Sequence, residues 1–414
     1  MMAKLISKIK KIPKIFKKEG FKGIMRRIMQ RLHVVPTLAD PLTFYDFIMD
    51  RKIIPFDKDA FEKNKDSEVK ILNWVIPEMG EGSGGHTTIF RFISNLEKRG
   101  FHSRVYVFRA KSFFNNQSIR SFVARAFPIL DSRVEVFYDV KYIDFAHATF
   151  ATSWETAYFV RNFENTISKF YFVQDFEPHF FAHGSEYEFA ENTYHFGLRG
   201  ITAGDWLKEK LNKEYGMKTD SFRFSYQRDV YYPVERTDNQ KRVFFYARPV
   251  TPRRDFELGL LALDELCKRM PEVEVVFAGW DLDDYKIPFK HESLGVVTMQ
   301  KLAECYNKCD MCLVISNTNL SLVPLEVMAC GSVAICSKGE NSSWMVDENN
   351  AVLVDYDPVI IADTMEYYFN HPEKMKEIRE KGLAFVQNTS WEKEADKVKK
   401  VILDAIEEDK VEKN

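Results

Sequence analysis

NTNLSLVPLEVMACG, residues 317–331, follows an apolar run at Met311–Ile315 that has the length of a buried strand. After a polar loop, Val323–Ala329 reads as a short helix, with Pro324 in its first turn and Gly331 just past its end. Strand, loop and helix start, in that order, present free backbone N–H groups and a positive dipole end to an anion, most often a phosphate. Glu326 is a carboxylate that a phosphate would repel, so it faces something else, such as the hydroxyls of a ribose.

The same unit recurs on both sides of this stretch. Upstream, strand Arg242–Ala247, helix Phe256–Arg269, strand Val273–Ala278 and helix Gln300–Lys308 lead into it, and strand Val333–Cys336 follows. The loop ARPVTPRRDF sets Arg248 at a strand end and Arg253 and Arg254 before a helix, where arginine forks neutralise a diphosphate. Arg253 and Arg254 compete for one role. Lys301 sits near a helix N-terminus, which marks either a nearby anion or an exposed lysine.

An earlier series begins with strand Val69–Ile76, which runs into PEMGEGSGGHTT and a helix over Ile89–Lys98. Gly82, Gly84 and Gly85, followed by His86, let a backbone come close to a ligand, although such glycines also close tight turns. Strands are expected at Arg104–Phe108, Val134–Phe137, Phe145–Phe150, Phe170–Val173 and Ile201–Ala203, and residues 40–67 read as irregular. The run YFVQDFEPHFFAHG ends one of these strands. Its Asp175 and Glu177 are candidates for acceptor binding or proton abstraction, or else are loop charges or a helix cap.

The expected fold is therefore α/β, with two Rossmann-like doubly wound domains facing a central cleft. Residues 35–235 form the N-terminal, acceptor domain and 236–388 the C-terminal, nucleotide-sugar domain; a last helix over 389–414 crosses back to the first. At 414 residues the chain exceeds the usual size of one core.

The formal net charge of −2 is unevenly spread, because Met1–His33 carries eleven Lys or Arg and one acid, Glu19. Residues 1–34 place Leu5, Ile9, Ile12, Ile15, Ile24, Ile28 and Leu32 at helical spacing between these cations. That pattern suits helices lying on an anionic membrane surface, or a basic arm packed on the acidic remainder, rather than a nucleic-acid contact. No apolar run reaches the length of a transmembrane helix. Six cysteines without paired spacing read as core residues of a chain in a reducing compartment, so a cytoplasmic protein, peripheral on the inner membrane face, is expected.

In order and spacing the parts over about residues 69–405 resemble a glycosyltransferase of GT-B architecture, family 4 and its relatives. GSGGHTTIFRFISNLEKRG is similar to the family's N-terminal glycine loop and helix, ARPVTPRR to its GR…K loop, LAECYNKCDMCLVIS to the elements before the donor site, and TSWEKEA to its terminal helix. TNLSLVPLEVMACG aligns with the family's EGFGLVPLEAMACG, departing at Thr318, where the family has Glu, and at Asn319-Leu320-Ser321, where it has Gly-Phe-Gly. YFVQDFEPHFF, FYARPVTPRRDFELGLLAL and the Thr318 variant look like bacterial rhamnosyltransferases that use dTDP-β-L-rhamnose.

The resemblance implies that Glu326 holds the nucleotide ribose, and that backbone N–H groups near Ser321, Leu322 and Val323 hold the diphosphate. Arg248 and Arg253 would neutralise it, with Lys301 adding charge and Gly279, Thr318, Asn319 and Leu320 completing the donor site. It further implies β1,2-rhamnosyl transfer with retention onto a hydroxyl of a growing, lipid-linked surface glycan such as an S-layer glycan. No cofactor or metal is expected: the Asp281-x-Asp283 pair lies outside a donor loop of the metal-binding kind. Transfer of another nucleotide sugar, nucleotide-sugar epimerisation, and a non-catalytic, membrane-associated glycan-binding module are the rival readings.

Overall fold

A computed structural model describes residues 40–413. The basic helices expected over residues 1–34 lie outside this range. Residues 40–67, expected to be irregular, carry three short helices, Pro41–Phe44, Asp46–Met49 and Lys58–Asn64. Side chains capping at Asp40 and Asp57 start the first and third. Each is too short to show a helical period in the sequence.

The first domain is a parallel sheet of β1 (Ile71–Pro77), β2 (His102–Phe108), β3 (Glu135–Phe137), β4 (Ala146–Ala151), β5 (Thr166–Val173), β6 (Arg199–Ala203) and β7 (Thr219–Phe222), ordered 3-2-1-4-5-6-7. Leu72 of β1 pairs with Ser103 on one side and Ala148 on the other. A strand so placed is covered on both faces, which is why Leu72–Ile76 is buried without alternation. Helix α1 (Gly84–Glu97) carries the chain from β1 to β2 and α2 (Trp154–Val160) from β4 to β5. The start of α1 lies in the glycine loop, five residues before the first apolar position expected to open it, because the Thr87 N–H already reaches the Ser83 carbonyl at 3.0 Å.

The second domain orders β8 (Arg242–Tyr246), β9 (Glu274–Ala278), β10 (His291–Ser293), β11 (Met311–Val314), β12 (Val333–Ser337) and β13 (Val352–Val354) as 10-9-8-11-12-13, again all parallel. Helices α3 (Phe256–Arg269), α4 (Met299–Lys308) and α5 (Val323–Ala329) belong to its crossovers. The sequence reading lacked β7, β10 and β13. All three are edge strands of three or four residues paired on one side only, and TDSF and HES are polar.

A final helix, α6 (Trp391–Lys413), leaves the second domain and packs on β5, β7 and α1 of the first. Its Trp391 ring lies 5.8 Å from Phe92 and 6.1 Å from Phe224, and Asp396 and Asp409 pair with Arg99 and Arg199. The returning chain runs beside the outgoing one. Arg228 donates to the carbonyls of Gln387 (2.9 Å) and Thr389 (2.8 Å), and Ser225 and Thr389 share a hydrogen bond of 2.8 Å.

In each sheet the strand order reverses once, between β1 and β4 and between β8 and β11. Loops leaving the carboxyl ends of neighbouring strands diverge at such a reversal and leave a crevice. Here the two crevices face each other.

Candidate active site

The joined crevices form a cleft of about 840 Å³ walled by the glycine loop, the start of the loop after β4, the Gln174–Phe180 segment, the Arg248–Arg254 loop and the loop into α5. Gly82, Gly84, Gly85 and His86 all line it. Gly82 has a φ of 74°, and a Cβ there or on Gly84 would meet nothing within 4 Å, so backbone lies open to the cleft. His86 is turned to a structural task. Its ring nitrogens contact the Ser83 hydroxyl (2.8 Å) and the Pro77 carbonyl (3.2 Å), and burial holds its pKa down at about 4. A neutral ring that donates Nε2–H to Pro77 and accepts from Ser83 fits both contacts.

On the opposite wall three arginines converge. Arg248 lines the cleft, and its side chain makes no hydrogen bond or ion pair among the described residues. Arg253 stacks on Phe180, guanidinium carbon 4.0 Å from the ring centre, with its buried Nε unpartnered. Arg254 donates to Ser316 Oγ and the Asn319 carbonyl, both at 2.8 Å; burial lowers its pKa to about 10, with Asp175 opposing. The two arginines that competed in the sequence thus divide the work: Arg254 braces the loop and Arg253 faces the cleft. Desolvated cations this close are a strained arrangement that an anion relieves.

The loop they surround is tied down from several sides. Asn317 donates to both Asp255 oxygens at 2.8 Å, and Tyr356 donates to the Ser316 carbonyl at 2.7 Å. Ser321, where the related motif has glycine, adopts a left-handed φ of 63°, so the loop keeps a glycine-like path with a side chain on it. Asn319, Leu320, Ser321, Leu322, Val323 and Glu326 line the cleft. Burial pushes the Glu326 carboxyl up to about 7, against the pull of the Tyr231 hydroxyl and the Arg91 charge.

Four expected site residues are placed otherwise. Thr318 is fully buried behind the wall, its hydroxyl donating to Asp175 Oδ2 at 2.8 Å. Lys301 is exposed and pairs with Glu304 at 2.8 Å, one turn further along α4, while its neighbours Met299 and Leu302 occupy the cleft-facing side. Gly279 lies behind the wall. A Cβ there would press within 3.0 Å of Tyr246 and the Ala247 carbonyl, so its glycine serves packing. Glu177 borders the cleft, yet its oxygens accept from Tyr171 Oη (2.6 Å) and the Trp154 N–H (2.9 Å), and burial drives its pKa up to about 8. Of the readings open to it, these contacts match the helix cap, at the start of α2. Asp281 Oδ1 accepts from the Asp283 N–H at 3.1 Å, a turn contact. No cluster that could hold a metal occurs among the described residues.

The sequence reading missed Arg91 and Tyr231. Arg91 is buried, lines the cleft and leaves Nη1 without a hydrogen-bond partner among the described residues. Its signal was an arginine inside the apolar run IFRFI, an expensive place for an unpaired charge.

Two Rossmann-like domains across such a cleft, tied by a returning C-terminal helix, define the GT-B glycosyltransferase fold. TarM of S. aureus aligns with a TM-score of 0.66 at 9% identity, covering 82% of this chain and 99% of that one. HepE of Anabaena, solved in complex with UDP, aligns at 0.62 and 14% identity over 81% of this chain and all of its own. Residues 241–366 match the family model described as "WsaF, C-terminal domain". The chain is also 30% identical, over 345 residues and 81% of its length, to the O-antigen biosynthesis protein RfbC of Myxococcus xanthus. The chain spans about a quarter, 27%, of that relative.

Proposed function

We propose that this chain is a glycosyltransferase of glycan biosynthesis that moves a sugar from a nucleotide diphosphate to an acceptor hydroxyl. The observation that carries this reading is the pair of cleft-lining arginines beside the loop into α5: Arg253, desolvated with its Nε short of a partner among the described residues, and Arg248, whose side chain has no hydrogen bond or ion pair among them. Such cations stabilise the charge that develops on a departing diphosphate. Glu326, on the same wall, accepts from the ribose hydroxyls. The relation to an O-antigen biosynthesis protein, and a fold shared with a neighbour solved with UDP, support the same class of substrate.

In its finer form the donor is dTDP-β-L-rhamnose and the reaction a retaining β1,2-rhamnosyl transfer, without a metal, onto a lipid-linked bacterial surface glycan, on the inner face of the cytoplasmic membrane. Leu320, apolar and lining the cleft, suits the methyl group of a 6-deoxy sugar. The basic residues 1–33 supply the membrane contact. Thermal-shift screening of nucleotide sugars tests the donor: dTDP-rhamnose should raise the melting temperature more than UDP-glucose or GDP-mannose. Indifference to all three removes the reading, and nucleotide release that needs no acceptor turns it towards an epimerase or a hydrolase. Loss of turnover in EDTA, restored by magnesium, would count against metal independence, as unchanged liposome sedimentation after deletion of residues 1–33 would against the membrane contact.

A further inference from the structure

A sugar attached to a diphosphate held beside Arg248 and Arg253 lies against the loop into α5, and its hydroxyls need acceptors. The loop itself has few left. The Thr318 hydroxyl donates to Asp175; Asn319 spends its side-chain carbonyl on the Ser321 N–H (3.3 Å) and its amide on the Gln174 carbonyl (3.0 Å). Leu320 offers none. Among the described residues four carboxylates border the cleft: Glu81, Asp175, Glu177 and Glu326. Glu81 pairs with Arg125 on the exposed rim, Glu177 is occupied by Tyr171 and Trp154, and Glu326 belongs to the ribose on the reading above.

Asp175 is different. It comes from the first domain, is 7% exposed, and reaches across to the loop of the second: Oδ1 accepts from the Asn319 N–H (3.0 Å) and from its own neighbour Phe176 (2.9 Å), Oδ2 from Thr318 (2.8 Å). A carboxylate has about four acceptor positions, and these contacts use three. The remaining one is on Oδ2, on a residue that lines the cleft next to the arginines.

Resting on the transferase reading, we propose that Asp175 is the specificity-determining acceptor for a hydroxyl of the donor sugar, delivered across the cleft by the facing domain and aimed by Thr318. The second domain then makes the contacts to the nucleotide, with Arg91 acting only on the charge of Glu326, whereas the sugar is recognised only when the two domains meet. Binding of the nucleotide without its sugar is independent of Asp175.

Calorimetric titration of the full chain with a nucleotide diphosphate and with its nucleotide sugar tests this, using dTDP with dTDP-rhamnose or UDP with UDP-glucose, whichever pair the wild type binds. Asp175→Asn should leave the nucleotide affinity within about 2-fold and weaken the nucleotide sugar by about 10- to 100-fold, the range for a hydrogen bond to a charged group. Equal weakening of both ligands, or of neither, overturns the proposal. If Asp175→Asn does not fold, Thr318→Val, which removes only the aiming hydroxyl, should weaken the nucleotide sugar selectively by about 3- to 10-fold; a loss shared by the nucleotide, or no loss, overturns it in the same way. A wild-type chain that binds neither ligand overturns the transferase reading itself.

Discussion

The Tyr171 hydroxyl donates to Glu177 at 2.6 Å inside the first domain, with the Trp154 N–H on the other carboxylate oxygen at 2.9 Å. Burial of this pair raises the folded-state pKa of Glu177 to about 8, above the ordinary glutamate value of about 4.3. Below that ordinary value the folded and unfolded chains are both protonated there. Between it and about 8 the unfolded chain releases a proton that the folded chain keeps, so the stabilisation present at low pH is lost as pH rises through the folded value. One proton gives a slope of at most about 1.4 kcal/mol per pH unit. Urea midpoints from pH 5 to 8 should fall in the wild type, and Glu177→Gln, which keeps the shape without the proton, should flatten that fall.

Arg91 and Glu326 lead to a pH dependence of opposite sign, in binding. On the proposed reading it is the ionised carboxylate that would hold the ribose hydroxyls, so nucleotide affinity should rise as pH increases through about 7, the value to which burial raises Glu326. Arg91 favours the ionised form from across the cleft; the other groups facing Glu326 are Tyr231, Tyr306 and Cys330. Arg91→Met should lower nucleotide affinity at neutral pH by about 10-fold and move the midpoint of the pH profile upward. An unmoved midpoint in calorimetry from pH 6 to 9 would reduce Arg91 to a packing residue against Trp391, whose ring centre lies 4.6 Å from its guanidinium carbon.

Arg253 and Arg254 should separate cleanly. Arg254→Met takes the charged donor from Ser316 Oγ, which keeps the Thr318 N–H (3.2 Å), and from the Asn319 carbonyl, which keeps the Ser316 hydroxyl (3.2 Å), and should cost about 1–3 kcal/mol in denaturant unfolding. Arg253→Ala removes a guanidinium that stacks on Phe180, so the fold should hold within about 1 kcal/mol while kcat falls by about 100-fold. Reversed phenotypes would exchange the roles assigned above.

Gly204, just past β6, meets Trp344 of the second domain. Its φ is 88°, and a Cβ would come within 2.2 Å of the indole. Gly204→Ala should wedge this contact between the domains, destabilising the chain by about 2–4 kcal/mol and raising the radius of gyration in solution scattering. An unchanged radius would mean that Trp344 swings aside without domain movement.

Much of this was written in local pattern. Central strands with apolar runs, the glycine loop, and the strand-loop-helix around Glu326 each declare themselves within a dozen residues, because parallel strands bury both faces and a phosphate-binding turn is a local shape. The edge strands β7, β10 and β13 did not, being short and half-covered. Side-chain partners were least legible. Thr318 and Asp175 are 143 residues apart, and nothing near either position says that they touch. Lys301 shows the same limit from the other side: its position on α4 was read correctly, but the choice between cleft and solvent was made by Met299 and Leu302 filling the inner face.

The return of α6 to the first domain makes the second domain an insertion within the first, entered and left through two adjoining stretches of chain that Arg228 and Ser225 hold together. A body tethered at one point can tumble, whereas two tethers define a line and leave rotation about it as the softest freedom. Opening and closing the cleft is then a swing with a single coordinate, and every contact across it, from Asp175 to Trp344, is made or broken along the same arc.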